Sequence, residues 1–225
     1  GEEYLCLTTS NMGNCRSNDE LTRRIQDRIR QYVRRSEPRA LYIHHEDSDT
    51  YASAEWLWQH RCAACQHRWP NADMAAADGA AGAFAHGYNA ICDAIFSVTN
   101  ADSGYDAARD CLVFLVSPNY TASFESHAVW DKQLAYWAAI DKLLKHKQNV
   151  SICFREQFLR SDNHKRRILE ASQMFRADGD GPGIFLFFVS PASLYSMGPL
   201  FVPVPAAMGT LNEGAEVAYY MCGKI

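Results

Sequence analysis

The chain has 225 residues, of which 48% are hydrophobic and 21% charged, and it carries a net charge of −4. That length admits one full-sized core, and the composition excludes a disordered chain. Eight cysteines are too dilute for a disulfide scaffold, and Cys6, Cys92, Cys111 and Cys153 lie in apolar runs where a thiol behaves as a small hydrophobe.

Tyr4–Thr8 is a short apolar run with a polar exit, Thr9-Ser10-Asn11, and it predicts a buried strand. Ser17 with Glu20 three residues on predicts a capping box opening a helix over 18–35. In that helix Leu21, Ile25, Ile29, Tyr32 and Val33 recur at helical spacing as one apolar stripe. Pro38 ends it. Residues 16–39 also hold eight arginines against four acidic residues, a balance of +4 that leaves −8 for the rest of the chain. A basic helix on an acidic body predicts a charged docking face, although a merely solvated helix surface has the same composition.

Ala40–Ile43 predicts a second strand, leaving into the polar stretch His44–Thr50. A Trp-rich helix is expected over 52–68. From Trp69 the composition turns to Pro, Ala and Gly, which predicts an insertion or loose connection around 69–107, with a helix at Tyr88–Ser97 inside it. Cys111–Val116 is apolar throughout, as expected of a strand covered on both faces. A helix over 126–146 should turn Trp130, Leu134, Trp137 and Leu144 to one side. Val150–Phe154 and Ile184–Val189 predict two more strands, and 211–222 suits a short final helix.

Strands separated by helical patterns imply right-handed crossovers and a parallel sheet. The expectation is one α/β domain over 1–225, with a five-stranded parallel sheet of flavodoxin-like order 2-1-3-4-5 and helices on both faces. No apolar run approaches the length of a membrane span. No signal-peptide pattern opens the chain, since Glu2 and Glu3 stand where basic residues are expected. Both points, with the unpaired cysteines, predict an intracellular protein in a reducing compartment. The sequons at Asn119 and Asn149 are read as accidental, the second because it opens a strand.

The stretch Ala108–Ser123, with its apolar strand ending in Ser117-Pro118-Asn119-Tyr120, resembles the third strand and following loop of TIR (Toll/interleukin-1 receptor) domains. Leu41–Asp49 resembles that family's second strand and its loop, and residues 4–35 match its first strand and helix in layout. The resemblance implies a protein-interaction domain or an NAD-cleaving hydrolase. NAD-cleaving members use a glutamate early in the helix after the third strand, commonly four residues after a tryptophan. Four residues after Trp130 stands Leu134, and the nearest acid of the right kind is Glu125.

Ligands of open parallel sheets bind beyond the carboxyl ends of the strands. Thr9, His45, Ser117, Asn119 and Ser123 are therefore the expected substrate-binding residues, with Glu125 as the carboxylate that would stabilise an oxocarbenium-like sugar. A glutamate favoured by a helix dipole needs no such role. Residues 209–224 also resemble the catalytic helix of nucleoside deoxyribosyltransferases, which would make Glu216 a nucleophile, whereas a helix packed on a sheet edge accounts for the same segment. Cys62 and Cys65, flanked by His60 and His67, have the spacing of a zinc knuckle, or of a helix with one buried cysteine face. Arg23, Arg28, Arg30, Arg34 and Arg35 could meet RNA phosphates. Without the expected glutamate, the leading expectation is a TIR-like interaction or assembly domain without catalysis. The rivals are an NAD or nucleotide N-glycosidase and a structural subunit of a larger, RNA-containing assembly.

Overall fold

The first helix, α1 (Asp19–Ser36), begins one residue later than the capping box implied. Asn18 is the N-cap, and its side chain accepts from the Leu21 amide at 2.9 Å. This computed structural model describes residues 17–44, 55–56, 58–116, 127–155, 184–189 and 215–220, with side chains described over 17–41, 43, 55–56, 58–115 and 131–150. Val33 is fully buried, and Ile29 packs partly buried against the core. Tyr32, assigned to the apolar stripe, is instead 57% exposed. It lies about 100° round the helix from Val33, at the margin of a stripe that its neighbour fills.

Glu37 ends α1 in the left-handed region, with φ 43°. A non-glycine residue there is strained and needs outside support. Its amide donates to the Val33 carbonyl at 2.9 Å, and its Oε1 accepts from Asn100 Nδ2 and, at 2.6 Å, from Ser103 Oγ. Those partners belong to a small antiparallel hairpin of β2 (Thr99–Asn100) and β3 (Tyr105–Asp106). Tyr105 Oη donates to the Pro38 carbonyl at 2.9 Å, a second tie at the same place.

The chain mixes helix and parallel strand, as an α/β protein does. Strand β1 (Ala40–His44) pairs in parallel with β4 (Leu112–Val116), and β4 pairs in parallel with β5 (Val150–Arg155). β6 (Ile184–Val189) and β7 (Ala215–Tyr220) extend the ladder in the same sense. Two expectations are corrected here. The order 2-1-3 would put Tyr4–Thr8 between β1 and β4, yet these strands are direct partners, Ala40 opposite Leu112 and His44 opposite Val116. Apolar runs identify strands but not their neighbours, and successive strands pair directly more often than not. Tyr4–Thr8 itself lies outside the described residues. The expected final helix is also wrong, because Ala215–Tyr220 is a strand paired to β6. Val217, Tyr219 and Tyr220 have strand propensity, and six residues are too few for periodicity to decide.

The segment expected to be a loose connection supplies much of the core among the described residues. Helix α2 (Ala63–Arg68) is short, and α3 (Ala80–Phe96) buries twelve of its seventeen residues. It packs between α1 and α5 (His127–Leu143). Small residues here permit close approach. A Cβ on Gly82 would lie 1.8 Å from the Ala77 carbonyl oxygen, and one on Gly79 would lie 2.1 Å from that of Asp73. Between the hairpin and β4 is the one-turn helix α4 (Ala107–Asp110), capped by the Asp106 carboxylate.

One continuous core joins Phe84, Tyr88 and Ile95 of α3, Leu134, Trp137 and Ile140 of α5, and Val113, Leu115 and Val150 of the sheet. Cys92 and Cys111 are buried there, and burial pushes their thiols up to about 12 and about 11 respectively. They act as small hydrophobes, not as nucleophiles. Among the described residues no helix is long and apolar enough to cross a membrane.

Candidate functional site

Because every ladder of the main sheet is parallel, the carboxyl ends of its strands share one edge. His44 and Val116, the last residues of β1 and β4, are register partners there. The predicted ligand residues His45 and Ser117 follow them directly in sequence. His45, Ser117, Thr9, Asn119, Ser123 and Glu125 themselves lie outside the described residues. Glu216 is placed differently. It is the second residue of β7, opposite Phe185, so about 13 Å of strand separates it from Tyr220 at the carboxyl edge. It belongs to the amino-terminal half of the sheet, and on a strand rather than a catalytic helix.

Leu134, which stands where the TIR resemblance would put a catalytic glutamate, is a core residue at 6% exposure. On the same buried face Gln133 and Trp137 are fully enclosed, and the Gln133 amide and Trp137 Nε1 have no hydrogen-bond partner among the described residues. Part of this helix's polarity, Gln133 and Asp141, is turned inward, while Asp131, Lys132 and Lys142 are exposed.

The expected Trp-rich helix is broken, and the break is built on Arg61. Only 8% exposed, its guanidinium donates to the carbonyls of Trp58 at 2.8 Å, Trp69 at 3.1 Å and Pro70 at 3.1 Å. It lies over the Trp58 ring at 4.3 Å from the centroid. Gln66 Nε2 donates to the Arg61 carbonyl at 2.6 Å, and Trp58 Nε1 donates to the Asn71 carbonyl at 2.9 Å. The charge has no carboxylate partner among the described residues, so three carbonyl dipoles and a ring face replace its hydration.

Around this clamp the zinc-knuckle residues have other partners. Cys62 is the extended N-cap of α2, and Cys65 is buried with its Sγ 3.4 Å from Ser17 Oγ. His60 stacks on Trp56, and its Nδ1 is 2.7 Å from the Trp56 carbonyl. His86, outside that motif, has its Nε2 3.3 Å from an Arg68 nitrogen. Among the described residues no three His, Cys, Asp or Glu side chains gather as a metal site would require.

A polar clasp fastens the end of α5 to α3. Asn89, 9% exposed, donates to the Leu143 carbonyl at 2.8 Å and accepts from the Lys145 amide at 2.9 Å. One turn on, Asp93 meets Lys145 Nζ at 3.1 Å and His146 Nε2 at 2.7 Å. Partial burial would raise the Asp93 carboxyl, but the hydrogen bonds from His146 and Lys145 outweigh it and hold the pKa below the ordinary value. Through Asn89 the clasp caps the Leu143 carbonyl, which the helix end leaves open.

The arginines of α1 form the most concentrated charge among the described residues. Arg24 pairs with Glu20, and Arg30 pairs with Asp27 at 2.9 Å while donating to Ser97 Oγ at 3.3 Å. Arg23, Arg28, Arg34 and Arg35 are exposed and have no carboxylate partner among the described residues. Arg34 and Arg35 stand in the last turn, where the helix dipole favours cations. Arg23 and Arg28 have no such local reason. No family model, curated protein or solved structure matches this chain.

Proposed function

We propose that the chain is a single α/β domain, TIR-like in its motifs, that binds a protein partner or a second copy of itself and performs no catalysis. The observation that carries this reading is the exposed face of α1, where Arg23, Arg28, Arg34 and Arg35 have no carboxylate partner among the described residues, set against a remainder that bears −8. The Ser117-Pro118 motif after an apolar strand supports the resemblance, and the parallel pairing of β1, β4 and β5 is compatible with it. The direct pairing of β1 with β4 departs from the strand order the resemblance implies. Leu134, buried where an NAD-cleaving member would place its acid, favours binding over chemistry.

Two measurements on the pure chain test this. Light scattering across a concentration series at low salt should show association that weakens as salt rises, because the contacts are between charges. Incubation with NAD should release no nicotinamide. Release of nicotinamide that disappears in Glu125→Ala would replace the interaction reading with the N-glycosidase one.

A further inference from the structure

Three residues of α1 lie on one exposed stripe. Arg28, Tyr32 and Arg35 are spaced four and three apart and therefore share a helix face. Tyr32 is 57% exposed, although a tyrosine ring in water gains nothing from the fold. Both flanking guanidinium groups are exposed and lack a carboxylate partner among the described residues. An exposed aromatic between two arginines has the composition of a binding hot spot.

We propose that the Arg28–Tyr32–Arg35 stripe is a docking surface for an acidic amphipathic helix of a partner protein. This rests on the interaction reading above and names the kind of partner. Arg28 and Arg35 are two turns apart, about 10 Å along the axis. Two carboxylates seven residues apart on a second helix repeat that spacing on a single face, with an apolar residue between them to cover Tyr32. An extended strand covers the same distance in three residues, but an odd spacing sends the two side chains to opposite faces. A helix laid along α1 in coiled-coil-like packing meets all three residues at once.

Charge decides against a nucleic-acid occupant. Glu20 and Asp27 stand among the exposed arginines, and the chain as a whole is acidic. Both features repel a continuous phosphate backbone, with a charge on every nucleotide, far more than two carboxylates seven residues apart, and nucleic-acid-binding domains are ordinarily basic overall.

The test uses the full chain and a labelled helical peptide of about 20 residues. The peptide has glutamates seven apart, leucine between them, and an alanine–glutamine background. The parent should bind it, and Arg28→Glu with Arg35→Glu should weaken binding at least about tenfold. Tyr32→Ala should weaken it by about fivefold or more. A peptide with lysine in place of glutamate should bind the doubly reversed chain and not the parent. This charge swap separates recognition from a folding defect, and circular dichroism of the variants should match the parent. No binding by the parent, equal binding by the reversed variant, or failure of the swapped pair overturns the proposal. So does tighter binding of a single-stranded RNA oligonucleotide that the two reversals abolish. If the parent self-associates yet does not bind the peptide, this surface falls and the interaction reading stands. Nicotinamide release from NAD would break that reading whatever the peptide does.

Discussion

Arg61 and the arginines of α1 carry the same group to opposite ends. Arg61 is enclosed, and its donors are spent on the carbonyls of Trp58, Trp69 and Pro70. Arg28 and Arg35 face solvent with no carboxylate partner among the described residues. A buried guanidinium organises backbone that would otherwise leave acceptors open, so it serves the fold. An exposed one contributes almost nothing to stability and is available for association. Exposure and partners, not residue type, separate the two roles.

The largest effect should come from Arg61. Arg61→Ala removes the donors of three carbonyls and the cover of Trp58, and should cost about 3 kcal/mol in a chemical denaturation curve. Arg61→Lys should recover less than half of that, because an ammonium cannot reach all three acceptors in one plane. A loss under about 1 kcal/mol would mean that the clamp is incidental.

Next comes Asn89→Ala, which uncaps Leu143 and frees the Lys145 amide. It should cost about 2 kcal/mol, and native-state hydrogen exchange should speed up at the end of α5 before it does elsewhere. Asp93→Asn is smaller, because its side chain is 39% exposed and solvent screens the pair. We expect about 0.5–1 kcal/mol at pH 7. The sign follows from the lowered pKa of Asp93 in the folded state. Its contribution is complete above the ordinary carboxylate range and is lost as the pH falls through the lower folded value. Thermal melts of parent and variant should therefore converge on acidification. Divergence would show that the clasp does not act through the carboxylate charge. At the bottom of the scale, Arg23→Ala and Arg28→Ala should change stability by no more than about 0.5 kcal/mol. A larger loss in either would place that arginine with Arg61, among the groups that hold the fold.

This contrast between arginines was half legible in the sequence. The helical spacing of Leu21, Ile25, Ile29 and Val33 disclosed α1 and its basic face, because amphipathic periodicity is local. The apolar runs at 111–116, 150–154 and 184–189 disclosed strands for the same reason. Arg61 was invisible, since burial of a charge depends on carbonyls eight and nine residues away turning back onto it. The Ala- and Gly-rich stretch before Tyr88 suggested a loose connection, although small residues equally mark a tightly packed helix. Which strands are neighbours is a long-range property, and the pairing of β1 with β4 could not be seen in either run alone. Of the candidate site, the sequence supplied residue types around a sheet edge. It could not tell that Glu216 belongs to the amino-terminal half of the sheet, because that position follows from strand register.

The tie between Glu37 and the β2–β3 hairpin has a consequence for synthesis on the ribosome. Ser103, one of the groups that hold Glu37 in its left-handed conformation, lies 66 residues downstream. At translation rates of about 5–20 residues per second, α1 leaves the exit tunnel roughly 3–13 s before its final turn can be completed. Most of a helix's stability comes from packing of its apolar face against the rest of the fold, so Ile25, Ile29 and Val33 are open to chaperones until their neighbours emerge. A pulse of protease on ribosome-bound chains should cut within residues 19–36 until Ser103 has emerged, and much less afterwards.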